Sequence, residues 1–519
     1  MDAVTLEILK NALNSVSREM GVTLKRCGFS PNIKERNDFS CALFNEKGEM
    51  ISQAEHLPVH LGSMPFSVAQ AIKDFEEFEM GDVIILNDPY RGGTHLPDIT
   101  LISPLFFSKK LVGFAANRAH HSDVGGKAPG SMAGDSTDIF QEGLRIPPTK
   151  LLEKGRENSE LLNLILSNTR TPKEREGDLK AQIASNKVGE RRFYELCEKY
   201  SLKILKEAMC ELMDYSERRI RRELSKIPDG VYSFRDFMES DGIEERKFKI
   251  EIEITAKGGD LSFDFSKTSP QAKGPINAVF PVTASCVYYV IRCITDPEIP
   301  PNAGHYRPLA IIAPKGSLLN PIFPAPVAGG NVETSQRIVD VLLGALSEAI
   351  PDRVIAACCG SMNNVSIGGV DPERGTYAYY ETIGGGFGAR PGRDGIDGVH
   401  THMTNTQNTP IEALESNLPI RIRRYEIRRN SGGEGKFRGG CGIVRELMLL
   451  RGEARLSILA ERHITKPYGL FGGGEGKRGK AYILSKGKKR KLKSKGTYDL
   501  KKDEILVIKT AGGGGYGLP

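Results

Sequence analysis

The chain has 519 residues, of which 39% are hydrophobic and 26% charged, with a formal net charge of +7. This composition excludes a disordered chain, and the length predicts two or three domains. No run of about eighteen apolar residues occurs, so no membrane span is predicted. The N-terminus lacks a secretion-signal layout and the nine cysteines lack metal-binding spacing, so we expect reduced thiols and a cytoplasmic protein.

The N-terminal part of the chain is predicted to form one long helix followed by strands. Apolar residues recur every four positions from Val4 to Leu24, which predicts a helix over residues 3–27 that ends at Gly28. Apolar runs then predict strands, and a short SKK segment between the last two favours a hairpin. These runs cover residues 39–45, 50–54, 82–88, 99–107 and 111–117.

The rest of the chain changes from a helical to a strand pattern. Residues 150–228 are charged and helical in periodicity, residues 231–270 alternate as strands, and the C-terminal part is rich in strands and glycine turns. We therefore predict a multi-domain α+β chain with mixed β-sheets. The expected regions are 1–150 with the metal site, 151–228 with the charged helices, 229–430 as a central α+β region with glycine-rich loops, and 431–519 as a β-rich region.

Much of the positive charge lies in the tract at residues 477–495. Basic and aromatic residues do not alternate there, as they would in many segments that bind single-stranded nucleic acid. We interpret the tract as a solvent-exposed hairpin. We expect neither nucleic acid nor a membrane as a partner.

The strongest chemical signal lies between Asp88 and Asp123. His95 and Asp98 stand three positions apart in a turn, and imidazole with carboxylate suits Zn²⁺, Mn²⁺ or Fe²⁺. The predicted hairpin brings the chain back, so that His120 can complete a metal site that activates water. The same residues could instead form only a hydrogen-bonded turn. Asp38, just before a predicted strand, could be a turn residue or a ligand, and spacing does not decide between them.

Glycine-rich stretches offer a second kind of candidate site. Gly384, Gly385 and Gly386 begin a GGGFG run that could cradle an anion, with Arg390 and Arg393 as phosphate partners. The alternative is a tight turn near a domain junction. Similar stretches precede Asn331 and end the chain, but none has the phosphate-binding P-loop pattern, and no G-x-S-x-G motif of serine hydrolases occurs.

Several long motifs resemble the hydantoinase B/oxoprolinase family. They include NDPYRGGTHLPDITLISPLF, AHHSDVGGKAPGSM, GGNVETSQRIVD, ETIGGGFGARPGRDGIDGVHTHMTNTQNTPIEALE and the terminal AGGGGYG. The resemblance runs in order along nearly the whole chain. It implies a B-type subunit of an N-methylhydantoinase, 5-oxoprolinase or caprolactamase, related to the large subunits of acetone carboxylases.

The resemblance also implies site residues and a partner. Relatives hold a divalent metal with an H-x-x-D pair, a downstream histidine and an upstream aspartate. These positions fall on His95 and Asp98, His120, and Asp38. His121 and Asp123 would then lie beside the metal or the substrate, and either could act as general base.

Members of the family work with an A-type subunit that binds ATP and phosphorylates the substrate oxygen. We therefore expect a hetero-oligomer with such a partner, acting on a lactam or imide. A ketone carboxylase subunit and a non-catalytic scaffold for the A-type subunit remain as alternatives.

Overall fold

The computed structural model describes residues 1–54, 57–60 and 62–519. Within these ranges the strands form four sheets, three antiparallel and one mixed, and long helices cover two of them. The predicted α+β class is confirmed. None of the helices described combines the length and apolar character that crossing a bilayer requires.

The first sheet has seven strands in the order β2-β1-β5-β4-β3-β6-β7. The strands predicted from apolar runs are confirmed. Residues 149–157, where helix was expected, add two strands beyond β3, because β6 pairs with β3 and β7 pairs with β6. The strands are β1 (Phe39–Asn45), β2 (Met50–Gln53), β3 (Val83–Leu86), β4 (Asp98–Phe107), β5 (Lys110–His120), β6 (Thr149–Glu153) and β7 (Arg156–Glu157).

Helices pack on both faces of the first sheet. One face lies against the long helices at the two ends of this region, and the other lies against a shorter helix. The helices are α1 (Ala3–Cys27), α2 (Pro31–Lys34), α3 (Met64–Asp74), α4 (Ser159–Ser167), α5 (Pro172–Tyr200) and α6 (Leu202–Leu224).

Helix α1 occupies the predicted residues, but only the C-terminal half of the expected apolar stripe is buried. Val4 is 70% exposed and Ile8 is 49% exposed, and Leu9 and Leu13 are buried in their place, whereas Val16 farther along the stripe is buried as expected. A spacing of four advances by about 400° around a helix of 3.6 residues per turn. A stripe at that spacing therefore turns away from the core, and the buried face follows a mean spacing nearer 3.6.

The second sheet is mixed and has the order β11-β10-β9-β8, with β10 and β11 parallel. Helices α7 and α8, which come from the apolar runs after residue 275, pack beside it in the largest hydrophobic core. The elements are β8 (Gly230–Met238), β9 (Phe248–Lys257), β10 (Asp260–Asp264), α7 (Phe280–Ile294), β11 (Leu309–Ile312) and α8 (Ser335–Leu346). A π-helical turn, Gly330–Thr334, leads directly into α8.

Two antiparallel sheets form the C-terminal part and share one core. Their orders are β13-β12-β16-β19 and β14-β15-β20-β17-β18. The elements are β12 (Asn364–Asp371), β13 (Gly375–Glu381), α9 (Ile411–Asn417), β14 (Ile420–Arg428), β15 (Gly442–Leu449), β16 (Glu453–Leu459), β17 (Lys480–Ser485), β18 (Lys488–Lys491), β19 (Lys495–Lys501) and β20 (Ile505–Lys509).

The basic tract forms the predicted hairpin, because β17 and β18 pair in antiparallel fashion and residues 488–491 are exposed. Lys495 departs from that prediction. It is buried and forms an ion pair with the buried carboxylate of Glu461. Pairing offsets the cost of removing both charges from water.

Candidate metal centre

The β4–β5 hairpin explains why residues far apart in sequence meet at one point. Asp98 is the first residue of β4 and His120 is the last residue of β5, and the antiparallel register places them directly opposite each other. His95 lies in the turn before β4, where its carbonyl accepts the Asp98 N–H at 3.0 Å. Strand pairing and one turn therefore bring three side chains to the same end of the hairpin.

The three side chains converge through one atom each. His95 Nε2 lies 3.0 Å from Asp98 Oδ1 and 3.2 Å from His120 Nδ1, and His120 Nδ1 lies 3.3 Å from Asp98 Oδ1. Ligands at about 2.0–2.2 Å from a zinc-like ion stand roughly 3 Å apart. The triangle therefore fits the ligand set of one small divalent cation, and all three residues are buried.

Asp98 is held so that one oxygen faces the histidines. Its other oxygen, Oδ2, accepts the Thr94 hydroxyl at 2.7 Å and lies 3.4 Å from Asn331 Nδ2 and 3.5 Å from His60 Nε2. Such outer contacts orient a ligand and tune its affinity. Sequence reasoning missed His60 altogether, because its spacing to the His95–Asp98 turn carries no signal.

Asp38 lines the same cavity as Asp98 and His120, although it is not part of the converging triangle. Its backbone oxygen accepts the His120 N–H at 3.0 Å, which ties the two segments together. Burial raises the pKa of Asp38 to about 7, against the opposing charge of Arg36. Whether Asp38 is a ligand stays a prediction, which its place beside the centre supports.

The charge states at the centre suit metal binding. Burial raises the pKa of Asp98, but His95 and His60 outweigh it and hold that pKa well below its usual value. Burial lowers the pKa of His120 to about 3. The site therefore offers a carboxylate and a neutral imidazole, which are the forms that coordinate cations.

His121 and Asp123 are engaged elsewhere. His121 Nε2 lies 2.9 Å from Gln182 Oε1 on α5, and burial lowers the pKa of the ring to about 4. The Asp123 carboxylate accepts the N–H groups of Gly125 and Gly130 and is paired with Arg170 at 2.9 Å. Asp123 thus fixes the loop after β5. The general-base role of either residue stays a prediction.

The GGGFG run is packed against other backbone segments. The N–H groups of Gly385 and Gly386 donate to the carbonyls of Val399 and Ala511. A side chain at Gly386 would lie 2.0 Å from the Gly440 oxygen, so only glycine fits there. Neither of these N–H groups is free for a phosphate.

Of the remaining residues of the predicted anion loop, Gly384 is buried, whereas Arg390 and Arg393 are exposed. Gly384 would also clash with backbone, at 2.9 Å from Val399, if it carried a side chain. Arg390 and Arg393 are exposed and pair with each other through their backbones. The phosphate-binding role of this loop therefore stays a prediction that rests on its sequence pattern.

The structure adds two further groups at the cavity. The ring of Tyr380 stacks on His120 with centroids 4.5 Å apart and fixes the plane of that imidazole. Asn331 reaches the cavity from the π-helical turn. Its position after Gly329 and Gly330 was visible in sequence, but nothing local indicated that it faces the centre.

Comparisons of the sequence and of the structure with known proteins indicate the same family. The family model described as Hydantoinase B/oxoprolinase matches residues 2–519. An uncharacterised protein of Methanocaldococcus jannaschii is 48% identical over 100% of this chain and 91% of its own length. A protein of Pseudomonas sp. named as a putative B-type subunit of a D-/L-hydantoinase is 36% identical over 92% of this chain and 83% of its length.

A longer relative matches with only part of its chain. 5-Oxoprolinase 1 of Arabidopsis thaliana is 40% identical over 99% of this chain, and the match spans 42% of that protein. This chain therefore corresponds to about two fifths of that relative.

Solved structures show the same architecture. The ATP-dependent caprolactamase of Pseudomonas jessenii superposes with a TM-score of 0.94 at 29% identity, over 100% of this chain and 91% of the other. An acetone carboxylase superposes with a TM-score of 0.92 at 19% identity, over 98% of this chain and 76% of the other, which shows a shared fold.

Proposed function

Because the chain belongs to the hydantoinase B/oxoprolinase family, we propose that it is the metal-carrying component of an ATP-dependent enzyme that opens cyclic amides. Relatives named as 5-oxoprolinase and as a B-type hydantoinase subunit, and the similar caprolactamase, support this substrate class. The observation that carries the proposal is the triangle of His95, Asp98 and His120 with mutual distances of 3.0–3.3 Å.

The proposed reaction adds water to a stable amide. The water oxygen bonds to the carbonyl carbon, the carbon–nitrogen bond of the ring breaks, and the ring nitrogen takes up the proton that the water loses. Amide resonance makes this step slow at neutral pH. In the proposal ATP first transfers its terminal phosphoryl group to the carbonyl oxygen, which makes the carbon more electrophilic, and that group is released as inorganic phosphate in the course of hydrolysis. When bound, a divalent ion (Zn²⁺, Mn²⁺ or Fe²⁺) supplies Lewis-acid chemistry, polarising a substrate oxygen and making water more acidic.

The chain's own residues have separate roles in this proposal. His95, Asp98 and His120 hold the ion, and Asp38 joins them from the strand β1 side. Thr94 keeps the Asp98 carboxylate turned toward the histidines. A general base with a pKa near the working pH is favoured, so the low pKa of His121 weakens its candidacy as that base.

We propose that ATP is bound by a separate A-type subunit in a hetero-oligomer. The Pseudomonas sp. relative, whose name makes it one subunit of a hydantoinase, supports a partner chain. The Arabidopsis 5-oxoprolinase, in which the match spans 42% of the protein, supports a complementary portion fused in one chain. Of the possible substrates, 5-oxoproline is our first choice, ahead of hydantoins and larger lactams.

The test is co-expression of the chain with an A-type subunit, followed by assays of ATP hydrolysis and ring opening on 5-oxoproline, hydantoin and caprolactam. We expect metal in the purified complex and ring opening that stops on chelation. His95→Ala should lower bound metal and ring opening together, by more than about 100-fold in metal affinity, because loss of an outer contact alone costs 10–100-fold. His463→Ala, which removes a histidine outside the cavity, is the matched control.

Three results would contradict the proposal. Full turnover by a metal-free His95→Ala complex would remove the metal from the chemistry. A requirement for bicarbonate with a ketone substrate would indicate a carboxylase. A complex that is active without any bound metal would assign this chain a scaffolding role.

A further inference from the structure

Asn331 is placed by a distorted helical turn at the edge of the cavity. It belongs to the π-helical turn Gly330–Thr334, and its carbonyl accepts the Ser335 hydroxyl at 2.7 Å. A side chain at Gly330 would lie 1.8 Å from the Asn277 oxygen, so the turn is wedged against that segment. π-helical turns are frequent at functional sites.

The side-chain amide of Asn331 forms a hydrogen bond through its nitrogen but, among the described residues, none through its oxygen. Nδ2 lies 3.4 Å from Asp98 Oδ2, and the residue is 3% exposed. Oδ1 has no hydrogen-bond partner in the described part of the chain. The reversed amide would place two acceptors face to face, because Asp98 Oδ2 already accepts from Thr94. The unused atom is therefore the acceptor, and a buried acceptor left without a partner is unfavourable.

The size of the cavity limits what can pair with this oxygen. Asn331 lines it together with Asp38, Asp98 and His120, and its volume is about 10 Å³. That volume leaves room for one water. A buried water needs two to four polar partners, and Asn331 and Asp38 both line this cavity.

We propose that Asn331 orients the water that attacks the ring carbon, by accepting one of its hydrogens at Oδ1. This inference rests on the proposed ring-opening function. With one O–H bonded to Asn331, the water can rotate only about that bond, so its lone pair is presented in a limited set of directions. The Nδ2 contact to Asp98 keeps the amide from turning with it.

The matched variants are Asn331→Leu and Gln336→Leu. Both remove a buried amide of similar size, and Gln336 also has an unpaired carbonyl oxygen, with its Nε2 donating to the Thr401 oxygen at 3.0 Å. Gln336 does not line the cavity. Loss of a structural amide alone should therefore affect both variants alike, whereas loss of water orientation should affect only the first.

The activity test uses the complex with its A-type subunit, metal and hydroxylamine as a competing nucleophile. For Asn331→Leu we expect kcat of ring hydrolysis to fall about 10²-fold, in line with other single polar groups that act on the reacting atoms. KM should change less than about 3-fold, and the ratio of hydroxamate to acid product should rise more than about 10-fold. Gln336→Leu should keep the wild-type ratio.

A second measurement does not depend on turnover. A crystal structure of the metal-loaded chain should contain a water 2.6–3.2 Å from Asn331 Oδ1, and the Asn331→Leu structure should lack it. Absence of that water in the wild type, or an unchanged product ratio in Asn331→Leu, would overturn the inference. If the water is present but no lactam is opened, the water site stands and the proposed function fails.

Discussion

At the residue scale, Asp98 is the side chain on which the candidate metal centre depends. One oxygen closes the triangle with His95 and His120, and the other is held by Thr94 at 2.7 Å. Because both oxygens are used, the carboxylate cannot rotate without losing contacts on both sides. This arrangement pre-orients the ligand before any cation binds, which lowers the entropic cost of binding.

Thr94 gives a prediction at this scale. Thr94→Val keeps the shape of the side chain but removes the hydroxyl that donates to Asp98 Oδ2. We expect metal affinity to fall about 10–100-fold, because the contact acts on the orientation of a ligand. The measurement is a competition titration with a metal-binding dye.

Thr149→Val on β6 is the control, since its hydroxyl donates to the Pro147 oxygen, away from the metal centre. Equal metal affinities of Thr94→Val and wild type would show that Asp98 does not need this support.

At the element scale, the π-helical turn and α8 carry a row of buried polar residues. Arg337 is paired with Glu461, and Asp340 is paired with Arg462 and lies 3.2 Å from the His402 ring. Glu333 differs, because one oxygen of its carboxyl accepts Met362 N–H and Asn364 Nδ2 while the other has no hydrogen-bond partner among the described residues. The row therefore contains ion-paired side chains and one acid, Glu333, whose charged form is disfavoured by burial.

Glu333 gives a pH-dependent prediction. Burial raises its pKa to about 8 from an ordinary value of 4.5. Such a group stabilises the fold fully below its unfolded pKa, and that contribution is lost as pH rises toward the folded pKa. Glu333→Gln should remove this loss, so the variant should gain stability over wild type by up to about 1.4 kcal/mol per pH unit between pH 5 and 8.

The measurement is urea unfolding at several pH values. Glu348→Gln, at an exposed position after α8, is the control and should run parallel to wild type. Parallel profiles for Glu333→Gln as well would show that Glu333 has an ordinary pKa.

At the scale of the whole molecule, the C-terminal sheets join segments from both sides of residue 430. Strand β12 pairs with β16, and the Glu381 carboxylate on β13 forms two hydrogen bonds of 2.8 Å with Arg445 on β15. Glycine segments also interlock there, with Gly386 packed against Gly440. The boundary proposed at 430 therefore separates sequence patterns, while strand pairing crosses it.

A chain that ends at residue 430 tests this interdependence. It loses β16 beside β12 and leaves the buried Glu381 without Arg445, and an unpaired buried charge costs about 3–5 kcal/mol. We expect the shortened chain to lack cooperative unfolding, as measured by circular dichroism on heating.

Removal of residues 518 and 519 alone is the control, since Leu518 is 73% exposed. A folded, cooperatively melting chain of 430 residues would show that the region 431–519 is dispensable for the fold.

The sequence by itself determined the family, the α+β class and the extents of the first helix and the first five strands. Helix α1 and the β4–β5 hairpin follow from periodicity, which is a property of neighbouring residues. Antiparallel pairing places the first residue of one strand opposite the last residue of the next. The predicted hairpin therefore already indicated that His120 lies near the His95–Asp98 turn.

Only the tertiary structure decided which distant groups join that hairpin. His60 and Asn331 reach Asp98 from separate segments, and Tyr380 comes to His120 from β13. In the glycine run at 384–388, the N–H groups of Gly385 and Gly386 donate to the carbonyls of Val399 and Ala511, which lie far away in sequence. Contacts of this kind depend on how sheets and helices pack against each other, and spacing along the chain does not encode that packing.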